Sequence, residues 1–252
     1  MKGFATYLWM EIRRTVRNGR YLTFTIGFPV GFYLLFSALY GRQPAGNALG
    51  GLSFNTLYMV SMCAYGAMGA ALTSNGARLA AERSGGWTRQ LRVTPLTPAA
   101  YVLARMATAI CVALPAVLLV GLSGVLVHHV HLAASAWVGL IAGIWLGTIP
   151  FAALGVFLGY ALDSESAYGG VMIVYFGLAI LGGLWFPYAI MPHGMQLAAR
   201  ILPAYHYASL GWNAVAGRGP GWRNLAILAA YTAVFAAAAA WRYRRDEARE
   251  YA

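Results

Sequence analysis

The chain has 252 residues, 60% of them hydrophobic and only 10% charged, with a mean hydropathy of +0.60. A soluble domain carries about 25% charged residues, so the composition excludes an ordinary soluble domain and indicates an integral membrane protein. The formal net charge of +11 does not indicate nucleic acid, because the basic residues lie beside apolar runs, as on a cytoplasmic membrane face.

Residues 1–20 lack the apolar core of a cleavable leader. At about 100° per residue, Phe4, Leu8, Trp9, Ile12 and Val16 share one arc, and Arg13, Arg14, Arg17 and Arg20 take the other. This predicts a helix lying in the cytoplasmic interface, apolar face in lipid and arginines at the headgroups.

Six apolar runs follow, at 21–40, 54–74, 101–127, 136–161, 167–186 and 224–242. Each approaches or exceeds the roughly 20 residues needed to span a bilayer as a helix, and no alternating barrel strands are seen. Gly27 and Pro29 predict a bend in the first. The fourth carries Gly139, Gly143 and Gly147, then Pro150, then Gly155 and Gly159. That pattern predicts a kink at Pro150 and a face that another helix approaches closely. Cys63 and Cys111 fall inside apolar runs and read as small buried residues.

Six spans place both termini on one side. The N-terminal segment, the segment after the second span and the tail hold 14 of the 18 basic residues, leaving Arg42, Arg200, Arg218 and Arg223 for the other side. Both termini are therefore expected in the cytoplasm. The segment 187–222 is proline-broken and amphipathic, which predicts short external helices re-entering the outer leaflet.

Several chemistries were weighed. The one lysine, Lys2, is far from any glycine-rich loop, so the chain has no Walker-type ATPase site. None of the seven acidic residues is expected in the middle of the membrane, although Asp163 and Glu165 come nearest to an ion carrier. "GLSG" at Gly121–Gly124 matches the GxSG of rhomboid proteases, with Ser123 as nucleophile and His206 as base. A rhomboid-like intramembrane serine protease is therefore an alternative, and a passive membrane scaffold another. His128, His129 and His131 are nearly adjacent, without an acidic or thiol partner, and read as a polar hairpin with no metal expected.

The segment 82–98, "ERSGGWTRQLRVTPLTP", interrupts the apolar chain. As a helix it puts Trp87, Leu91 and Thr94 on one stripe and projects Arg89 and Arg92 from another side, until Pro95 and Pro98 end it. An aromatic anchor flanked by arginines suits a groove on a partner protein.

The segment resembles the coupling loop of the permease subunit of type-two ABC exporters, roughly E-R-E-x-G-T-x-x-x-L-x-x-T-P. Glu82, Arg83, Gly85, Leu91, Thr94 and Pro95 match, while Ser84 replaces an acid and Gly86-Trp87 departs. The family's G-x-x-F-P-x-x-x-x-P after the fifth span is similar to Gly183, Phe186, Pro187 and Pro192. The resemblance covers the whole chain, 1–252, as a single all-α transmembrane domain. It implies a transport subunit without enzymatic activity of its own, driven by two copies of a cytoplasmic ABC ATPase that bind the ATP and Mg. It also implies a second permease, identical or related, in the cytoplasmic membrane, and places ATPase coupling on Glu82, Arg83, Trp87, Arg89, Leu91, Arg92, Thr94 and Pro95.

A pathway is expected along Tyr58, Met62, Tyr65 and Gly69 of the second span and Met172 and Phe176 of the fifth. These carry no fixed charge, so the expected cargo is apolar or amphiphilic: a drug, antibiotic or lipid exported as in multidrug resistance.

Overall fold

The computed structural model describes residues 2–19, 23–41, 52–86 and 98–250. These form ten α-helices and no strand. Trp87, Arg89, Leu91, Arg92, Thr94 and Pro95 lie outside the described residues, as do Arg20 and Arg42.

Helix α1 (Lys2–Val16) is followed by a π-helical turn, Thr23–Gly27, that runs straight into α2 (Phe28–Tyr40). The bend expected from Gly27 and Pro29 takes this form: Pro29 sits in the first turn of α2, where its missing N–H costs nothing. Helix α3 (Phe54–Ser84) begins at Ser53, whose hydroxyl accepts from the Thr56 amide. It lies at the centre, packed on α2, α4 (Pro98–His128), α6 (Ile149–Ala161), α7 (Ser164–Leu181) and α9 (Pro203–Val215). Its most apolar window is 89% buried, against 22% for α7 and 11% for α10 (Trp222–Glu250). A helix apolar on every side belongs in the middle; those with a bare apolar face belong on the rim.

Among the described residues, five helical stretches are long and apolar enough to cross a membrane: Phe54–Ser84, Tyr101–His128, Ala134–Ala161, Ser164–Leu181 and Trp222–Arg245. The first apolar run is shorter, with its helical stretch at Thr25–Tyr40.

The expected fourth span is broken into α5 (Ala134–Leu146) and α6 at Gly147–Thr148, just before Pro150. The small-residue face meets a helix of the same chain. A Cβ on Gly139 would stand 3.0 Å from the Cβ of Ala214, and one on Gly143 would stand 3.2 Å from that of Leu210. Both partners lie on α9, so glycine permits the close α5–α9 approach. Trp145 ties α5 to α4 by donating its indole N–H to the Ile110 carbonyl at 2.8 Å.

Helix α7 ends in a Schellman turn. The Leu184 amide bonds to the Ala179 carbonyl at 2.9 Å, and Gly183 takes φ +81°. That backbone favours glycine at the first residue of the G-x-x-F-P pattern. A 3₁₀ turn (Tyr188–Ile190), α8 (His193–Ile201) and α9 follow.

Candidate functional site: an ionic cluster bracketing the 87–97 segment

Glu82 lies near the C-terminal end of α3, and Arg105 in the second turn after Tyr101 on α4. Both are buried, with Arg105 only 2% exposed. The Glu82 carboxylate accepts at Oε2 from Arg105 Nη1 at 2.8 Å and Tyr101 Oη at 3.3 Å. At Oε1 it accepts from Arg78 Nε at 3.1 Å and Arg14 Nη1 at 3.2 Å. A second buried carboxylate, Glu11 of α1, pairs with Arg78 Nη2 at 2.8 Å and with Arg105 Nη1 at 3.5 Å. Arg78 also donates to Thr15 Oγ1 at 2.8 Å.

Two carboxylates thus hold three guanidinium groups, and the cluster joins α1 to α3 and α4. Glu11, Glu82 and Arg105 are buried, so removing any one of them would leave a costly unpaired charge inside the protein, whereas Arg14 is largely exposed. Tyr7 of α1 adds an aromatic contact to Tyr101 at 5.6 Å. Burial raises the pKa of its phenol well above the ordinary tyrosine value, keeping it neutral.

The buried stripe of α1 is Tyr7, Glu11 and Thr15, one turn apart, while Trp9 is exposed. The amphipathic reading of α1 did not include this polar stripe, which packs it on the bundle. Beside the stripe, Arg13, Arg14 and Arg17 line a cleft of about 820 Å³.

Arg83 turns the other way. Its Nη1 donates to the Gly159 carbonyl at 2.8 Å, and Arg242 of α10 donates to the Ala161 carbonyl at 3.0 Å. The last turn of α6, whose carbonyls lack helical partners, is thereby capped by two arginines. Glu82 and Arg83, two of the residues expected to couple, are thus held shortly before position 87 in the chain, and Tyr101 and Arg105 shortly after position 97.

Three of the residues expected along a pathway fall on an aromatic wall. Phe28, Phe32, Phe36 and Tyr40 recur every fourth residue of α2, with successive ring centroids at 4.2, 5.4 and 5.9 Å. Tyr58 meets Phe36 at 5.4 Å, Tyr65 stacks on Tyr175 at 4.6 Å, and Phe176 meets Trp185 at 5.6 Å. Trp185 closes the group against Phe32 at 5.3 Å and Tyr65 at 5.7 Å. Tyr58, Tyr65 and Phe176 are therefore brought into one array. Met62 is fully buried and Met172 half-buried against the core. The ring of Tyr175 occupies the place a side chain at Gly69 would need. The four-residue ladder on α2 was a signal present in the sequence and overlooked.

The protease dyad does not form. Ser123 Oγ donates to the Val120 carbonyl at 2.7 Å, while His206 uses its two ring nitrogens on Asn224 Oδ1 and the Arg200 carbonyl, each at 2.9 Å. Among the described residues, no three His, Cys, Asp or Glu residues converge as a metal site.

The family described as ABC-2 family transporter protein matches residues 41–241. YvfS of Bacillus subtilis (strain 168), provisionally named a transport permease, is 31% identical over 238 residues, 94% of this chain and 96% of YvfS. A helical bundle with a polar clamp at one end fits that likeness. The chain is a multi-pass membrane protein and belongs to the ABC-2 family of transporter permeases.

Proposed function

We propose that the chain is the membrane subunit of an ATP-driven exporter that moves an apolar or amphiphilic cargo out across the cytoplasmic membrane. The first apolar run, with α2, adds a sixth span to the five long helices, and both termini face the cytoplasm. A separate ABC ATPase, in two copies, binds ATP and Mg and drives the cycle. A second permease, the same chain or a relative, completes the membrane unit. The segment 82–98 seats in the ATPase, with Trp87, Leu91 and Thr94 as its apolar anchor and Arg89 and Arg92 setting its register.

The observation that carries this reading is the buried cluster at both ends of that segment. A push on the segment reaches α3 through Glu82, α4 through Arg105 and α1 through Glu11. Arg83 passes the displacement to α6. Asp163 and Glu165, exposed at the start of α7, make a lesser contact on the same side. ATP binding that favours one arrangement of this cytoplasmic unit then shifts the spans from inward to outward access. Cargo moves along the aromatic wall of Tyr58, Tyr65 and Phe176, with Met62 and Met172 behind it. The segment 187–222 forms the outer gate.

Purification in mild detergent tests the partnership: an ABC ATPase should co-purify. In the reconstituted complex, Trp87→Ala with Leu91→Ala should leave the folded chain intact and uncouple ATP hydrolysis from transport. Undiminished transport by that double variant would refute the lever.

A further inference from the structure

A lateral cleft of about 1220 Å³ runs between α5 and α10, floored by α9. About half of its lining is small residues, and the rest is Leu, Ile, Val and Pro with His131 and Arg218. Ala136, Gly139 and Gly143 line one side, and Ala229, Ala233 and Ala236 the other. Both helices start at the same end of the molecule, where His131 and Arg218 rim the opening. Trp222, 82% exposed, stands at the first residue of α10 on the same level. An outward tryptophan there is the mark of a membrane–water interface.

The dimensions fit one leaflet. From Leu225 near the rim to Ala236 at the deep end, the helix rises roughly 16 Å at about 1.5 Å per residue. Half of a bilayer's hydrocarbon core is about 15 Å. The charge at the rim is one-sided. No Asp or Glu occurs between Glu82 and Asp163, or between Glu165 and Asp246. Arg218, Arg223 and His131 therefore meet no carboxylate from the stretches that build this end. A second copy packed here about a two-fold axis would bring the same positive rim against itself.

We propose that this cleft is a binding site for one anionic glycerophospholipid. An acyl chain lies between the alanine and glycine walls, and the phosphate is held by Arg218 and His131. The leaflet is the one at the far end from the Glu82–Arg105 cluster. Small walls suit a flexible chain, because an alkyl tail fills an irregular groove at little cost where fixed side chains leave voids. The bound chain fills the gap between α5 and α10, both of which pack on α9. The site does not depend on the identity of the cargo or of the ATPase.

The test uses the full chain in vesicles of equal parts phosphatidylglycerol and phosphatidylcholine, with a benzophenone side chain placed at Ala233 and, as bulk-lipid control, at Ile173. Irradiation followed by intact-mass measurement should give lipid adducts at position 233 enriched in phosphatidylglycerol relative to position 173. Arg218→Gln should reduce that enrichment by about fivefold, the effect of one basic residue near anionic lipid. Ala229→Trp, which fills the cleft from an exposed position on the rim helix, should lower the adduct yield without lowering the amount of folded protein. Equal headgroup composition at positions 233 and 173 would overturn the proposal, and so would chain-to-chain adducts from position 233, which would put a second copy in the cleft.

Discussion

The two ends of α3 are built on opposite principles. At the Glu82 end, buried charges from α1, α3 and α4 interlock through distances of 2.8–3.2 Å. Toward the other end, α2, α3 and α7 meet mainly through rings, with one hydrogen bond from the Tyr175 hydroxyl to the Tyr65 carbonyl at 3.0 Å, and Phe28 and Phe176 are partly open to the surroundings. A charge network has one good arrangement, because a displaced member is left buried and unpaired. Aromatic contacts are individually weak and tolerate sliding. The charged end is thus suited to transmit a push, and the aromatic wall to yield to one.

Breaking the charged end should cost most. Glu82→Ala leaves Arg105 buried without its closest counter-ion and should destabilise the chain by about 3–5 kcal/mol. The check is folded yield in the membrane together with thermal unfolding in detergent. Glu82→Gln, which keeps the shape, should lose less. A packed but uncharged contact should come next. Gly143→Leu forces a side chain against Leu210 and should cost about 1–3 kcal/mol by the same unfolding measurement. The aromatic wall should be the most forgiving for stability. Phe32→Ala removes stacked contacts worth about 1 kcal/mol, yet should lower transport of an apolar cargo in reconstituted vesicles. Ile173→Ala, outward on α7 and 75% exposed, should change stability by no more than about 0.5 kcal/mol.

Much of the helical framework was legible in the sequence. Apolar run length marks spans strongly, since the bilayer permits few alternatives. Gly139, Gly143 and Gly147 announced a close helix contact, though only the fold could say that α9 makes it. Gly183 stood in the sequence only as part of the G-x-x-F-P pattern, and the fold supplies its reason, a turn with φ +81°. The ionic cluster was not legible. Glu11 and Glu82 find Arg78 and Arg105 across different helices, and no local pattern encodes such a meeting. Glu82 was legible only as part of the coupling pattern that the resemblance implies. Its four donors supply the reason it faces inward. The ladder from Phe28 to Tyr40 was fully local and could have been found by counting every fourth residue.

The most direct test of a rigid charged end beside a yielding wall is a pair of distance measurements in the working complex. Spin labels at Trp9 and Leu103 report on α1 against α4, and labels at Leu39 and Ile173 report on α2 against α7; all four positions are exposed. Cys111, also exposed, is first replaced by alanine. Between the nucleotide-free and ATP-bound states, the first distance should stay constant and the second should change. A first distance that changes while the second stays fixed would contradict the account.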